Sequence, residues 1–218
     1  MIGGMTLPLG PDELLCTTRS VRKRLDLDRP VPLDLVRESL EVALQAPSGG
    51  NSQSWHWMVV TDPELRGVIG DYYARSFASY RTSSAYAGKA ADHSPERQAV
   101  QSRVASSADY LAEVMGRVPV HVIGCIAAGE ELPAGNQAGL WGSLLPAAWS
   151  FQIAARARGL GSAWTTLHLR YEKEIGAALG IPSHVRQGVL LPTAFYTGET
   201  FKPAKREPLE TVLHLDRW

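Results

Sequence analysis

Residues 46–57 read APSGGNSQSWHW, and the reading of the chain turns on this connection. Before it, Pro32-Leu33-Asp34 opens a helix in which Leu33, Val36, Leu40, Ala43 and Leu44 recur at helical spacing. That pattern stops at Ala46-Pro47, because a residue preceding proline is pushed out of the helical region. After it, WHWMVVT (55–61) reads as a strand. A helix-to-strand connection needs only a glycine or an asparagine to turn. This one carries two glycines, two amides and three serines, so its hydrogen-bonding groups are directed at something the local chain does not supply. Gly49 and Gly50 let the backbone come close to a neighbour, since no Cβ intervenes. Trp55 and Trp57 share one strand face and are assigned to the core. His56 faces the other way, towards a surface or an interface.

Outward from this connection the chain reads as one domain over 1–218, an α/β or α+β unit. Pro11 to about Cys16 is a short helix, and Asp62-Pro63-Glu64 starts another that runs through Tyr72-Tyr73. The stretch 88–117 is polar and alanine-rich. It has helical stretches but a weak centre at AADHSPERQ (90–98), and reads as a mobile excursion closed by a helix over 106–117. VPVHVIGCIA (118–127) is a buried strand, and 136–158 is a long helix with a kink expected at Pro146. A short strand over 162–166, a helix over 171–179 capped by Gly180, a strand over 187–197 and an arm over 203–218 complete the pattern.

Composition narrows the function classes. The 218 residues carry 22 Lys plus Arg and 22 Asp plus Glu, a formal charge of zero, which argues against a nucleic-acid binder. The start, MIGGMTLPLGPDELL, has no charged and then apolar signal pattern, and no apolar run approaches the ~18 residues of a membrane span. Cys16 and Cys125 lack metal spacing, so a reduced, cytoplasmic setting is expected, with both thiols as buried or half-buried small hydrophobes.

The chemistry-bearing motifs are few. In TTRSVRKRL (17–25), Arg19 and Arg22 offer forked donors, with Ser20 and Thr18 hydroxyls beside them. Those residues alone fit either a phosphate cradle or a solvated basic turn. FKPAKREPL (201–209) adds Lys205 and Arg206 if the arm folds back. GLGSAW (159–164) lacks the third glycine of a dinucleotide fingerprint, and it follows a helix instead of opening one. The six histidines form no HxxxH or HxH pair, and there is no GxSxG elbow or phosphate-binding GxxxxGK[ST] loop. An enzyme of this composition needs its chemistry supplied by an organic cofactor.

Taken together, RSVR, APSGGNSQSW, GLGSAW and the closing KREPLETVLH, in this order, resemble the nitroreductase family of flavin enzymes. The resemblance is weakest over 72–117. It implies an α+β fold, a three-layer α/β/α sandwich with a mixed central sheet flanked by helices, assembled as a domain-swapped homodimer that exchanges the 203–218 arm. It implies one FMN per site at the dimer interface, with hydride taken from NADPH or NADH and passed to a small-molecule electron acceptor by a ping-pong cycle. By the same resemblance, Pro47, Ser48, Asn51 and Gln53 lie along the flavin, and Gln53 is placed to reach the flavin of the other subunit. Arg19, Ser20 and Arg22 match the phosphate-binding stretch, with Lys205 and Arg206 as its C-terminal basic pair. Ala204 stands where members commonly have a lysine, which leaves Lys205 or Lys202 to take that part. Thr165, Thr166 and Leu167 fall beside the flavin N5, where a backbone N–H is a donor. Many members carry glutamate or glycine in this segment, so acceptor preference stays open.

No side chain is an obligatory acid or base in this picture. Residues 71–117 are the variable cover, in which Tyr72, Tyr73, Phe77, Tyr80 and Tyr86 either stack on an acceptor or pack the core. Three other readings are weighed beside the oxidoreductase. They are an FMN-storage protein without turnover, an oxygen-dependent enzyme that fragments reduced flavin, and a cofactor-free helical interaction protein.

Overall fold

Val120–Ala127 forms strand β2, buried at all but its last residue, because helices cover both faces of the sheet it belongs to. The computed structural model of the chain describes residues 6–89 and 94–218. Beside β2 lie β1 (Trp55–Val60), β3 (Leu160–Ser162) and β4 (Val185–Phe195). Among the described residues the strand order is β1-β2-β4-β3, each neighbouring pair antiparallel. The parallel component is confined to an isolated bridge between Ser20 and Ser162.

Two cores sandwich the sheet. On one face α3 (Pro63–Thr82), α4 (Pro95–Val114) and α6 (Glu172–Leu179) bury Ile69, Tyr73, Leu111 and Ile175 against Ile123, Cys125 and Leu190. On the other, α2 (Leu33–Ala43) and α5 (Ala138–Ala157) bury Val36, Ala148 and Phe151 against Val122, Val189 and Leu191. Strand side chains alternate, so the adjacent pairs Val122-Ile123 and Leu190-Leu191 each feed both cores. The short α1 (Pro11–Thr17) leads into the basic segment. The three-layer α/β/α arrangement expected from the motifs is the one observed. Trp55 is buried and Trp57 half-buried in the core, while His56 is exposed.

Four details differ from the sequence reading. The helix opened by Pro63 does not stop near Tyr73 but continues to Thr82, because Ile69, Tyr73 and Phe77 keep one buried stripe at four-residue spacing. Residues 95–114, expected as helical stretches about a weak centre with a closing helix over 106–117, are one continuous helix. Ser94 caps it by accepting the Arg97 N–H, and Pro95 occupies the first turn. Residues 90–93 of the supposed weak centre lie outside the described residues. The strand expected at 162–166 is found at 160–162, since Gly159, at φ 78°, ends α5 abruptly and lets the chain extend at once. Cys16 is exposed, whereas Cys125 is buried as expected.

Candidate functional site

The glycine pattern of 159–162 has a packing purpose. A Cβ on Gly161 would come within 3.0 Å of the Val21 side chain, so glycine lets the basic segment lie directly on β3. The Val21 N–H donates to the Ser162 carbonyl at 2.8 Å. This anchor turns Arg22 inward and leaves Arg19 and Ser20 exposed.

Arg22 enters a cavity of about 270 Å³ walled by Tyr73, Phe77, Tyr80, Tyr86 and Trp164, with Thr165, Thr166 and Leu167 along one side. Its guanidinium makes a long 3.4 Å contact to Ser107 Oγ. Among the described residues no carboxylate pairs with it. Burial pushes its pKa down, opposed by the nearby Tyr73 and Tyr80 hydroxyls. A cation held partly out of water without a counter-charge is costly, and such a group is retained where an electron-rich partner is to be bound. The Tyr73 phenol is pushed up by burial, against the pull of its Thr165 hydrogen bond and of Arg22.

The backbone of 165–167 is committed on both sides of one free donor. Thr165 N–H donates to the Leu190 carbonyl at 3.1 Å, and the Leu190 N–H returns to Thr165 at 2.9 Å. Leu167 N–H makes a 3.5 Å contact to Thr165 Oγ1. Thr166 N–H has no acceptor among the described residues, and Thr166 is exposed.

The loop before β1 shows a different character. Gly50, Asn51 and Gln53 all adopt positive φ, at 58°, 53° and 49°. Two of these are not glycine, and such strain concentrates at functional sites. The loop is tied down by Gly49 N–H donating to Ser143 Oγ on α5 at 2.9 Å and by Gln53 N–H donating to Ser48 Oγ at 3.2 Å. Pro47, Asn51 and Gln53 are exposed, and Ser48 is half-buried.

The structure thus brings Arg22, Thr165, Thr166 and Leu167 into one cavity but leaves Pro47, Ser48, Asn51 and Gln53 out of it. The reason is topological. The loop leads into β1 at one edge of the sheet, whereas the basic segment lies on β3 at the other. The arm is split as well. Arg19 donates to the Lys202 carbonyl at 2.7 Å, which pins the arm's start beside the basic segment. Lys205 and Arg206 instead line a separate groove of about 390 Å³ with Arg97 and Arg103 of α4, where Arg97 is paired to Glu207. Helix α4 spans both places, since its Ser106 and Ser107 meet Lys23 and Arg22.

Two larger hollows lie elsewhere, about 460 Å³ beside Glu172 and Arg186 and about 570 Å³ beside Arg66 and Arg117. The arginines named there are already engaged. Arg186 forks onto Glu172, Arg66 donates to the Val118 carbonyl, and Arg117 faces Asp28. We therefore take the smaller aromatic cavity, with its unspent donors, as the candidate site. Sequence reading missed Ser107 and Trp164 as neighbours of Arg22, and no local signal marks either.

A family model described as the nitroreductase family matches residues 16–193. The chain is 30 % identical to an NADH dehydrogenase of Thermus thermophilus, over 95 % of this chain and 97 % of that protein. It is 31 % identical to a 5,6-dimethylbenzimidazole synthase of Rhodospirillum rubrum, over 80 % of this chain and 76 % of that one. The fold is similar to that of an FMN and NADPH-dependent nitroreductase from sphigopyxis sp. strain HMH, with a TM-score of 0.70 at 23 % identity, covering 96 % of this chain and 100 % of the other. Among the described residues no helix is long and apolar enough to cross a membrane.

Proposed function

The chain belongs to the nitroreductase family, and from that premise we propose that it is an FMN-dependent oxidoreductase drawing on NADPH or NADH to reduce a small electrophilic acceptor such as a nitroaromatic or a quinone. The observation that carries this reading is the pairing, in one aromatic cavity, of a half-buried guanidinium with a backbone N–H, which among the described residues lack a carboxylate and an acceptor respectively. These residues fit FMN, whose ring system is flat and apolar but carries polar atoms along its edges. When bound, FMN supplies the electron-transfer chemistry, and the protein positions and tunes it. Arg22, which the resemblance groups with the phosphate-binding stretch, would from its place in the cavity supply positive charge to the ring system instead, and Thr166 N–H would supply a fixed donor. The aromatic walls exclude water, which strengthens both interactions. Arg19 and Ser20 are the candidates for the phosphate; Lys205 and Arg206 stand in the separate groove with Arg97 and Arg103.

The exposed loop at 47–53 completes this site from a second copy of the chain in our reading. Leu209, Val212, Leu213, Leu215 and Trp218 of the arm are all exposed, Trp218 fully so at 101 %. That much apolar surface calls for a partner. Light scattering on the 218-residue chain is expected to give twice its mass. An FMN-loaded monomer would remove this part of the proposal.

The direct test is to load the protein with FMN and add NADPH, then NADH, without oxygen while following the flavin's visible absorbance. Rapid bleaching, reversed by an acceptor, is expected. A protein that takes up no FMN would overturn the reading. A second reading, fragmentation of reduced flavin by oxygen to a benzimidazole, has support from the relative in Rhodospirillum rubrum. Mass spectrometry of the aerobic products separates the two.

A further inference from the structure

Tyr73 is 3 % exposed on α3, and its hydroxyl lies 3.1 Å from Thr165 Oγ1. The stretch around it is the one least like the family's motifs, yet this contact reaches the middle of the candidate site. Thr165 Oγ1 has two neighbours, the Tyr73 hydroxyl and the Leu167 N–H. The Thr165 backbone is locked on β4 through Leu190. Between two committed residues, Thr166 has little freedom in where its N–H points. A buried hydrogen bond is a stiffer tether than the same bond in water, and a preorganised donor is worth most when it need not reorient.

Resting on the FMN reading above, we propose that Tyr73 is a positioning residue. Its hydroxyl grips Thr165 Oγ1, aims the Thr166 N–H into the cavity, and so sets how strongly the site favours reduced over oxidised flavin. The neighbouring Tyr72 has no such role. It is half-buried, with its ring 5.1 Å from that of Tyr171.

The test is the midpoint potential of bound FMN, measured by spectroelectrochemistry alongside FMN affinity and thermal stability. Tyr73→Phe and Thr165→Val are each expected to lower the preference for reduced flavin about tenfold, equivalent to about 30 mV for a two-electron couple. The double variant should match Thr165→Val, because that change already breaks the Tyr73 contact along with the longer one from Leu167 N–H. Thr165→Ser keeps the hydroxyl and should keep the potential, and Tyr72→Phe should match the unaltered protein. A purely structural role would lower the melting temperature of Tyr73→Phe and leave the potential where it was; that result overturns the inference. Should Tyr73→Phe fail to fold, equal potentials in Thr165→Val and Thr165→Ser overturn it instead. An unaltered protein that binds no FMN removes this inference together with the FMN reading. Bound FMN whose potential ignores these substitutions removes the inference alone.

Discussion

Arg22→Met is expected to weaken FMN binding about a hundredfold while leaving the cofactor-free protein at least as stable as before. A hydrogen bond to a charged group contributes about 1.5–3 kcal/mol, and a factor of one hundred is about 2.7 kcal/mol. The stability half of the prediction has the opposite sign. In the free protein the guanidinium is half-buried, unpaired with any described carboxylate and held only by the 3.4 Å contact to Ser107, so its removal relieves a desolvation cost. Methionine is unbranched, as arginine is, and fills irregular space well. Flavin fluorescence titration and thermal melts with and without FMN read the two halves separately. An unchanged affinity would show that the cavity is not where FMN binds. A large fall in the melting temperature of the cofactor-free protein would show that Arg22 is structural. Stability given up at a binding site is the usual pattern for functional charge.

Mild acid is expected to destabilise the protein by about 4 kcal/mol between pH 7 and pH 5, a large share of the roughly 5–15 kcal/mol of an ordinary domain. The source is a pair of fully buried histidines. Among the described residues His121 on β2 makes one bond, from Nε2 to the Met115 carbonyl, and His168 makes none at either ring nitrogen. Burial lowers the His121 pKa to about 4, helped by Arg66 and opposed by the Met115 bond. Burial, with His121 next to it, lowers the His168 pKa to about 3. Above the unfolded value of 6.5 both states are neutral and the pair is without effect on stability. Below it the unfolded chain takes up two protons that the folded chain refuses. Stability therefore falls as pH drops from 6.5 towards the folded values, each histidine costing about 2 kcal/mol by pH 5. Urea unfolding of the cofactor-free protein across this range measures it. His168→Leu should remove about half of the slope. A midpoint that stays level from pH 7 to pH 5 would mean that the folded state admits protons at these sites.

Both predictions rest on features of different legibility. The connection 46–57 could be placed between helix and strand from Pro47, the glycines and the alternating WHWMVV, because those signals act within a few residues. The same holds for the Gly180 cap, whose left-handed φ of 67° is a local demand that glycine meets without strain. Helix α4 is hard to read locally because its buried residues, Ala105, Leu111 and Val114, are too sparse to mark a stripe. What holds it is packing on α3 and a cap at Ser94. The strand at 160–162 was misplaced for a related reason. Gly161 is there to admit Val21, a neighbour that no window of local sequence contains.

The residues of the candidate site were nearly all visible beforehand as types, but their grouping was not. Motif order carried the resemblance to the family, and the three-layer architecture came with that resemblance, while local periodicity placed most of the helices and strands. Tertiary structure alone decided that Arg22 joins Thr165–Leu167 while the 47–53 loop stands at the far edge of the sheet. It also decided that Tyr73 meets Thr165 across 92 residues. The strand order β1-β2-β4-β3 is the physical reason. Which strand becomes an edge depends on long-range pairing, and a half-buried charge or hydroxyl acquires its role only from the walls that pairing brings around it.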